Sequence, residues 1–273
     1  MELLCPVCGK TLTRFDNTLR CGANHSFDFA RQGYVHLLPV QQKHSLNPGD
    51  TRQQVLSRRS FLSAGFYEPI VNTLMAEAAA LNCKGPILDV GCGEGYYSTH
   101  VAQSLDCPLV GLDISKEAVR CAAAKYKNAL WICGTASRLP VADRSVGLLM
   151  SLFALTVPEE FRRVLTPEGY YFQVLAAEDH LMNLKSVIYP ELKFREKNTV
   201  PELTGFTLVR SVPIRFSFTV EGEQVQNLLS MTPHVYRIGP EGAERLRRTE
   251  KLTDTASCVL NIFRPDGSAF TFP

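Results

Sequence analysis

The sequence predicts an α/β fold, a mostly parallel sheet covered on both faces, with a small metal-stapled ribbon ahead of it. Three observations carry this expectation. Apolar strands alternate with helical periodicities from residue 86 to 176, a glycine-rich turn joins the first of those strands to a helix, and two close pairs of Cys/His residues stand near the N-terminus. Strand and helix in that rhythm build a parallel sheet whose crossovers lie on its faces. At 273 residues the chain has room for one such core and an appendage.

Residues 1–37 are rich in Cys, Gly, Asn and aromatic side chains in short runs, a pattern of short strands and turns. Residues 39–50, PVQQKHSLNPGD, are polar and bracketed by prolines, as in a linker. From Thr51 to Leu81 the spacing turns helical, with Val55, Phe61, Leu62, Ile70, Leu74 and Ala78 at mixed three and four intervals. Strands are then expected at 86–90, 108–113, 130–133, 146–151 and 169–176, with helices near 96–105, 116–126 and 158–165. The tail differs: 205–218 and 256–264 read as two longer strands separated by helical segments at 221–230 and 240–250, an antiparallel addition to one side of the sheet. The expected division is a ribbon at 1–37, a linker and helical segment at 38–81, and the α/β domain at 82–273.

The formal net charge of +2 is unevenly spread. Residues 1–60 hold eight Lys/Arg against four Asp/Glu, and residues 61–273 hold 21 against 23, so the basic surplus sits at the N-terminal end and hints at an anionic partner there. No apolar run is long enough to span a bilayer, and MELLCPVCGK has neither the basic nor the apolar region of an export signal. A cytoplasmic protein with no membrane partner is expected. Nine cysteines, an odd number scattered through apolar segments, fit thiols better than a disulfide framework.

The segment Ile87-Leu88-Asp89-Val90-Gly91-Cys92-Gly93-Glu94-Gly95-Tyr96-Tyr97 is an apolar strand running through three alternate glycines into a helix. Glycines there allow a sharp turn and close approach to a ligand, and the free N–H groups at the helix start can receive an anionic group. A bare G-x-G-x-G also occurs for packing alone, so its neighbours matter. Asp89 two residues ahead gives the acidic-x-G-x-G-x-G order, which resembles class I S-adenosylmethionine-dependent methyltransferases. Asp113 closes the next strand, where a carboxylate can accept from both hydroxyls of a ribose, and Gly134-Thr135-Ala136-Ser137 follows the third strand, on the adenine side in such enzymes. The expected donor site is therefore Asp89, Gly91, Gly93, Gly95, Tyr96, Asp113, Ala136 and Ser137. A nicotinamide dehydrogenase would also use Asp113, but the third glycine is at the wrong offset for one.

Cys5-Pro-Val-Cys8 and Cys21-Gly-Ala-Asn-His25 form C-x2-C and C-x3-H pairs separated by twelve residues. Three thiolates and one imidazole make a closed tetrahedral zinc site whose role is structural. So short a ribbon also has too little core to fold without a staple. Cys83, Cys107, Cys121 and Cys258 are expected as packing residues, and His36, His44, His100, His180 and His234 as satisfied or solvated histidines.

The cysteine cluster, Phe27-Asp28-Phe29-Ala30-Arg31-Gln32-Gly33-Tyr34-Val35-His36-Leu37-Leu38, Pro48-Gly49-Asp50 and the glycine turn stand in one order. With Arg138-Leu139-Pro140, His180-Leu181-Met182, Leu184-Lys185, Leu203-Thr204-Gly205-Phe206-Thr207-Leu208 and Met231-Thr232-Pro233, they resemble the bacterial RlmA family of 23S rRNA (guanine-N1)-methyltransferases over nearly the whole chain. The resemblance implies a zinc ribbon that helps to dock a 23S rRNA hairpin, a domain that methylates a guanine ring nitrogen, and, as an option, a homodimer. Ser151-Leu152-Phe153-Ala154-Leu155-Thr156-Val157-Pro158 departs from the family's Tyr-Ala-Pro-Cys-Lys type of segment at the mouth of the site, and Pro167-Glu168-Gly169 replaces its Pro-Gly-Gly turn.

Guanine N1 carries a proton, so a base or stabilising hydrogen bonds are needed. Glu159 and Glu160 are the candidate bases, although both suit a helix start. Phe153, Tyr96 and Tyr34 are candidates to receive an unstacked base, and Lys43, Arg52, Arg58 and Arg59 to meet phosphates. An RNA-binding relative without catalysis and a small-molecule methyltransferase are the alternatives.

Overall fold

The computed structural model describes residues 1–39, 48–192 and 196–267. Lys43, His44 and most of the expected linker lie outside them. Strands β1 (Leu12–Phe15), β2 (Thr18–Cys21) and β3 (Ser26–Asp28) form a small antiparallel sheet, as the short runs lead one to expect. The next strand, β4 (Tyr34–His36), does not stay with them: it enters the main sheet at an edge.

Helix α1 (Arg52–Ser63) starts at a capping box, in which the Thr51 hydroxyl accepts from the Gln54 N–H and the Gln54 side chain accepts from the Thr51 N–H. Helix α2 (Glu68–Ala80) follows, and then the expected alternation: β5 (Ile87–Val90), α3 (Tyr96–Leu105), β6 (Leu109–Asp113), α4 (Lys116–Lys125), β7 (Ala129–Cys133), β8 (Val146–Leu152), α5 (Pro158–Val164) and β9 (Leu165–Ala176). The tail contributes α6 (Met182–Ile188), β10 (Phe206–Glu221), α7 (Glu223–Ser230), a 3-10 turn at Pro233–Tyr236, α8 (Pro240–Arg247) and β11 (Lys251–Pro265). The eight-stranded sheet runs β10-β11-β9-β8-β5-β6-β7-β4. Its β11 is antiparallel to both β9 and β10, which bears out the antiparallel addition.

The chain fills β5, β6 and β7 outward and then returns to lay β8 and β9 on the other side of β5. The connections therefore diverge where β5 and β8 lie side by side, and they leave a crevice beyond the C-terminal strand ends. Side chains alternate across the sheet as its period of two requires. Ile87, Met150, Phe172 and Leu260 join one core with Phe61, Leu74 and Val101 from the first three helices. Leu88, Leu149, Tyr171 and Phe263 point into the other, which α5 enters through Phe161 and Val164.

The ribbon completes that second core. Residues 134–145, between β7 and β8, hold no helix, although a parallel crossover is usually made by one. Leu3, Leu12, Leu19 and Phe29 of the ribbon pack there with Leu139 and Val141. The Leu4 N–H donates to the Pro140 carbonyl at 3.0 Å, and the Ala142 N–H donates to the Glu2 carbonyl at 3.0 Å. The ribbon thus covers a face of the sheet that the crossover leaves bare.

Candidate functional site

In the ribbon, tight turns bring the four expected ligands together. The Gly9 N–H donates to the Cys5 carbonyl and the Asn24 N–H to the Cys21 carbonyl, closing the turns that present each pair. The ligand atoms of Cys5, Cys8, Cys21 and His25 all lie within 4.8 Å of one another. Individual separations are 3.6 Å for Cys5 Sγ to His25 Nδ1, 3.6 Å for Cys8 Sγ to Cys21 Sγ and 3.4 Å for Cys21 Sγ to His25 Nδ1. Zn–S bonds of about 2.3 Å and Zn–N bonds of about 2.0 Å around a tetrahedron require separations of about 3.5–3.8 Å. The donor set therefore fits zinc.

A cavity of about 790 Å³ opens at the crevice between β5 and β8. Asp89, Gly91, Gly93, Tyr96 and Asp113 line it, so five residues of the expected donor site meet there. Gly95 stands behind them as the left-handed N-cap of α3, at φ 81°. A Cβ at Gly95 would come within 2.3 Å of the Trp131 ring, so only glycine lets the turn sit on that buried indole. A Cβ at Gly93 would meet nothing within 4 Å, which leaves this side of the turn clear for a ligand.

Asp113 is held from both sides. The Gly93 N–H donates to one carboxylate oxygen and the Ser115 N–H to the other, each at 2.8 Å, which orients the group across the turn while lone pairs remain for hydroxyl donors. Burial pushes the Asp89 carboxyl up to about 7 and that of Glu94 also up to about 7. One Asp89 oxygen and both Glu94 oxygens are buried without a hydrogen-bond partner. Buried polar atoms of this kind suit a ligand that brings its own donors. Glu94 escaped the sequence reading because a glutamate between two glycines equally suits a solvated turn.

The other expected residues are placed differently. Ala136 is half-buried beside the ribbon-facing core and Ser137 is exposed with its hydroxyl 2.9 Å from that of Thr135; neither lines the cavity. Glu159 is exposed at the first turn of α5. The Glu160 carboxylate accepts from the Leu139 N–H at 2.7 Å and from Arg163 at 2.8 Å, so it ties α5 to the loop after β7. Neither glutamate reaches the cavity, and the geometry offers no support for either as its proton acceptor. Tyr34 is buried in the core and cannot receive a base, whereas Phe153 is 41% exposed on the cavity wall in a left-handed conformation at φ 54°. Arg52 is exposed; Arg58 instead lines the cavity, pairs with Asp50 and donates to the Met231 carbonyl at 3.3 Å.

Several segments singled out only by resemblance converge on this same cavity. Gly49 and Asp50, His180 and Leu181, Lys185, and Met231 to Pro233 all line it. Ser115 fastens the first of these, its hydroxyl donating to the Asp50 carbonyl at 2.8 Å. His180 is satisfied as expected, with the Ser257 N–H donating to its Nδ1 at 3.2 Å, yet it is also part of the wall. Burial pushes it down to about 4.

Comparison with known proteins matches this geometry. Residues 3–46 match the zinc-ribbon family profile described as RlmA, N-terminal, and residues 87–169 match one described as methyltransferase domain. A protein of Micromonospora griseorubida with the provisional name 23S rRNA (guanine-N(1)-)-methyltransferase is 37% identical, over 97% of this chain and 97% of its own length. The 23S rRNA (guanine(748)-N(1))-methyltransferase of Streptomyces fradiae is 30% identical over 96% of each chain. Among the described residues no helix is long and apolar enough to cross a membrane.

Proposed function

Because this chain belongs to the RlmA family of 23S rRNA (guanine-N1)-methyltransferases, we propose that it methylates N1 of a guanine in a hairpin of 23S rRNA. It is an S-adenosylmethionine-dependent methyltransferase with a zinc ribbon. The observation that carries the proposal is that the glycine turn, Asp113 and several of the family's scattered segments meet in one cavity. When bound, S-adenosylmethionine supplies an electrophilic methyl group on a sulfonium sulfur.

The residues of this chain hold and orient. Asp89, Gly91, Gly93, Gly95 and Tyr96 form the turn assigned to the donor's amino-acid end, and the fixed carboxylate of Asp113 is assigned to the ribose hydroxyls. The adenine side is assigned to the loop after β7, on which Ala136 and Ser137 stand outside the cavity wall. Cys5, Cys8, Cys21 and His25 hold zinc in a closed, structural site. The basic surplus of residues 1–60 supports an RNA phosphate backbone as partner. Methyl transfer is an in-line displacement, so positioning does most of the work. Exposed Phe153 at the mouth offers a flat face to an extruded base. The same reading takes the protein to act in the cytoplasm and leaves a homodimer to be tested by sedimentation.

The test is mass spectrometry of 23S rRNA nucleosides from cells with and without the gene. Loss of N1-methylguanosine with the gene, and its restoration by purified protein and S-adenosylmethionine, is the expected result. An unchanged N1-methylguanosine content overturns the proposal. The altered segment Ser151–Pro158 favours one second reading, a relative that binds rRNA without transferring methyl; it predicts salt-sensitive RNA binding and no methylated nucleoside.

A further inference from the structure

The cavity is divided by charge. Among the described residues its carboxylates are Asp50, Asp89, Glu94 and Asp113, all on the approach to α1, β5, the β5–α3 turn or the end of β6. The cavity-lining residues of the opposite wall, from the ends of β8 and β9, the segment after β9, α6, the stretch before β10 and the Pro233–Tyr236 turn, include no carboxylate. Its basic side chains are His180, Lys185, Lys197 and His234. A guanine that presents N1 to this wall would find cations and imidazoles rather than a carboxylate base.

Neither imidazole is a suitable proton acceptor. His180 Nδ1 already accepts from the Ser257 N–H, and its Nε2 lies 3.5 Å from the buried Tyr67 hydroxyl. His234 Nδ1 is engaged with the Tyr189 hydroxyl at 2.8 Å. Burial lowers both rings to about 4, so each holds a proton too weakly to remove one from guanine near neutral pH.

Lys185 is different. Its ammonium donates to the Glu178 carbonyl at 3.2 Å and approaches Met182 Sδ at 3.7 Å, and it makes no ion pair among the described residues. The charged groups around it are Lys197, Glu178, Asp179 and Asp254, together with His180 and His234. Asp254 is occupied by the N–H groups of Asn183 and Leu184 at the start of α6, and Asp179 by Arg215. From α8, Arg245 is turned to the Val187 carbonyl. Lys185 thus brings a positive charge to the cavity wall with only neutral atoms bonded to it.

We propose that the Lys185 ammonium binds O6 of the target guanine and makes N1 acidic enough to lose its proton to water, so that no protein carboxylate acts as base. The inference rests on the function proposed above. The N1–H bonding pair stays on nitrogen as the proton leaves to solvent, and negative charge spreads over N1 and O6 against the ammonium. The N1–methyl bond then forms while the methyl–sulfur bond breaks, its pair remaining on sulfur. A cation fixed where charge develops is the usual source of a large rate effect.

The test uses the full-length zinc-loaded protein, S-adenosylmethionine and an unmodified 23S rRNA transcript in single turnovers from about pH 6 to about pH 9.5. The wild-type rate should rise with pH and level off. Lys185→Met should lower it by roughly 10²-fold near pH 7 and move the rising limb to higher pH, so that the deficit narrows in alkali; Lys185→Arg should retain most of the rate. Lys197→Met, at an exposed neighbour, should weaken RNA binding without moving the limb. A deficit that is the same at every pH overturns the proposal, as does an Arg variant as slow as the Met variant, which would mark Lys185 as a neutral base. Should the Met variant fail to fold, the same limb is read in Lys185→Gln. Wild-type protein that forms no N1-methylguanosine overturns the proposed function itself; product with an unshifted limb overturns only the lysine.

Discussion

Asp113 receives two backbone N–H groups and still faces the cavity, so its replacement removes an already oriented acceptor. Asp113→Ala is expected to weaken S-adenosylmethionine binding about tenfold or more, measured by titration calorimetry, through loss of charge-assisted hydrogen bonds. Gly95→Ala tests the turn from behind. The added methyl meets Trp131 at a backbone conformation that disfavours side chains, and a loss of about 2 kcal/mol or more in denaturant unfolding is expected. These positions were legible in the sequence because a backbone turn constrains residue type locally. Lys185, His180 and Asp50 were legible only as pieces of a family pattern, because their chemistry depends on meeting in space across more than a hundred residues of chain. For Glu159 and Glu160 the sequence left two readings side by side, and the geometry favours the helix start: carboxylates beside an expected site mouth also suit the first turn of α5, and that is where they stand.

At the level of elements, nearly every strand and helix with its own periodicity was legible, and α6 was not. Its seven residues have no side-chain cap from their own segment. The N–H groups of Asn183 and Leu184 are instead satisfied by Asp254, on β11 and some seventy residues away. Asp254→Ala is therefore expected to cost about 1–2 kcal/mol in denaturant unfolding, with earlier amide exchange in α6 than elsewhere. The ribbon depends in the same way on a partner outside its strands. Removal of zinc by a strong chelator is expected to melt residues 1–37, followed as loss of dispersed amide signals, because its strands alone bury too little surface. The separate appendage anticipated at the N-terminus is closer to the catalytic body than its composition implied. β4 joins the main sheet through β7, a parallel pairing that three residues of sequence could not announce.

For the molecule as a whole, two buried carboxyls in one cavity tie stability to pH. The Glu94 pKa is raised to about 7 in the folded chain by burial, above its unfolded value, so the native state binds more protons between the two. The stabilisation this provides is complete below the unfolded pKa and is lost as pH rises through the folded one. In the ligand-free protein, Glu94→Gln should therefore melt at a temperature that gains on the wild type between about pH 5 and about pH 8. A gap independent of pH would show that Glu94 is ionised throughout. The ribbon's place over the helix-free stretch between β7 and β8 has a consequence for supply rather than for shape. That stretch carries Ala136 and Ser137 as well as the carbonyl of Pro140 that the ribbon grips. Metal starvation would then loosen the loop that follows β7 while leaving in place every residue that lines the cavity, so that a shortage of zinc would reach the protein first at its back rather than at its mouth.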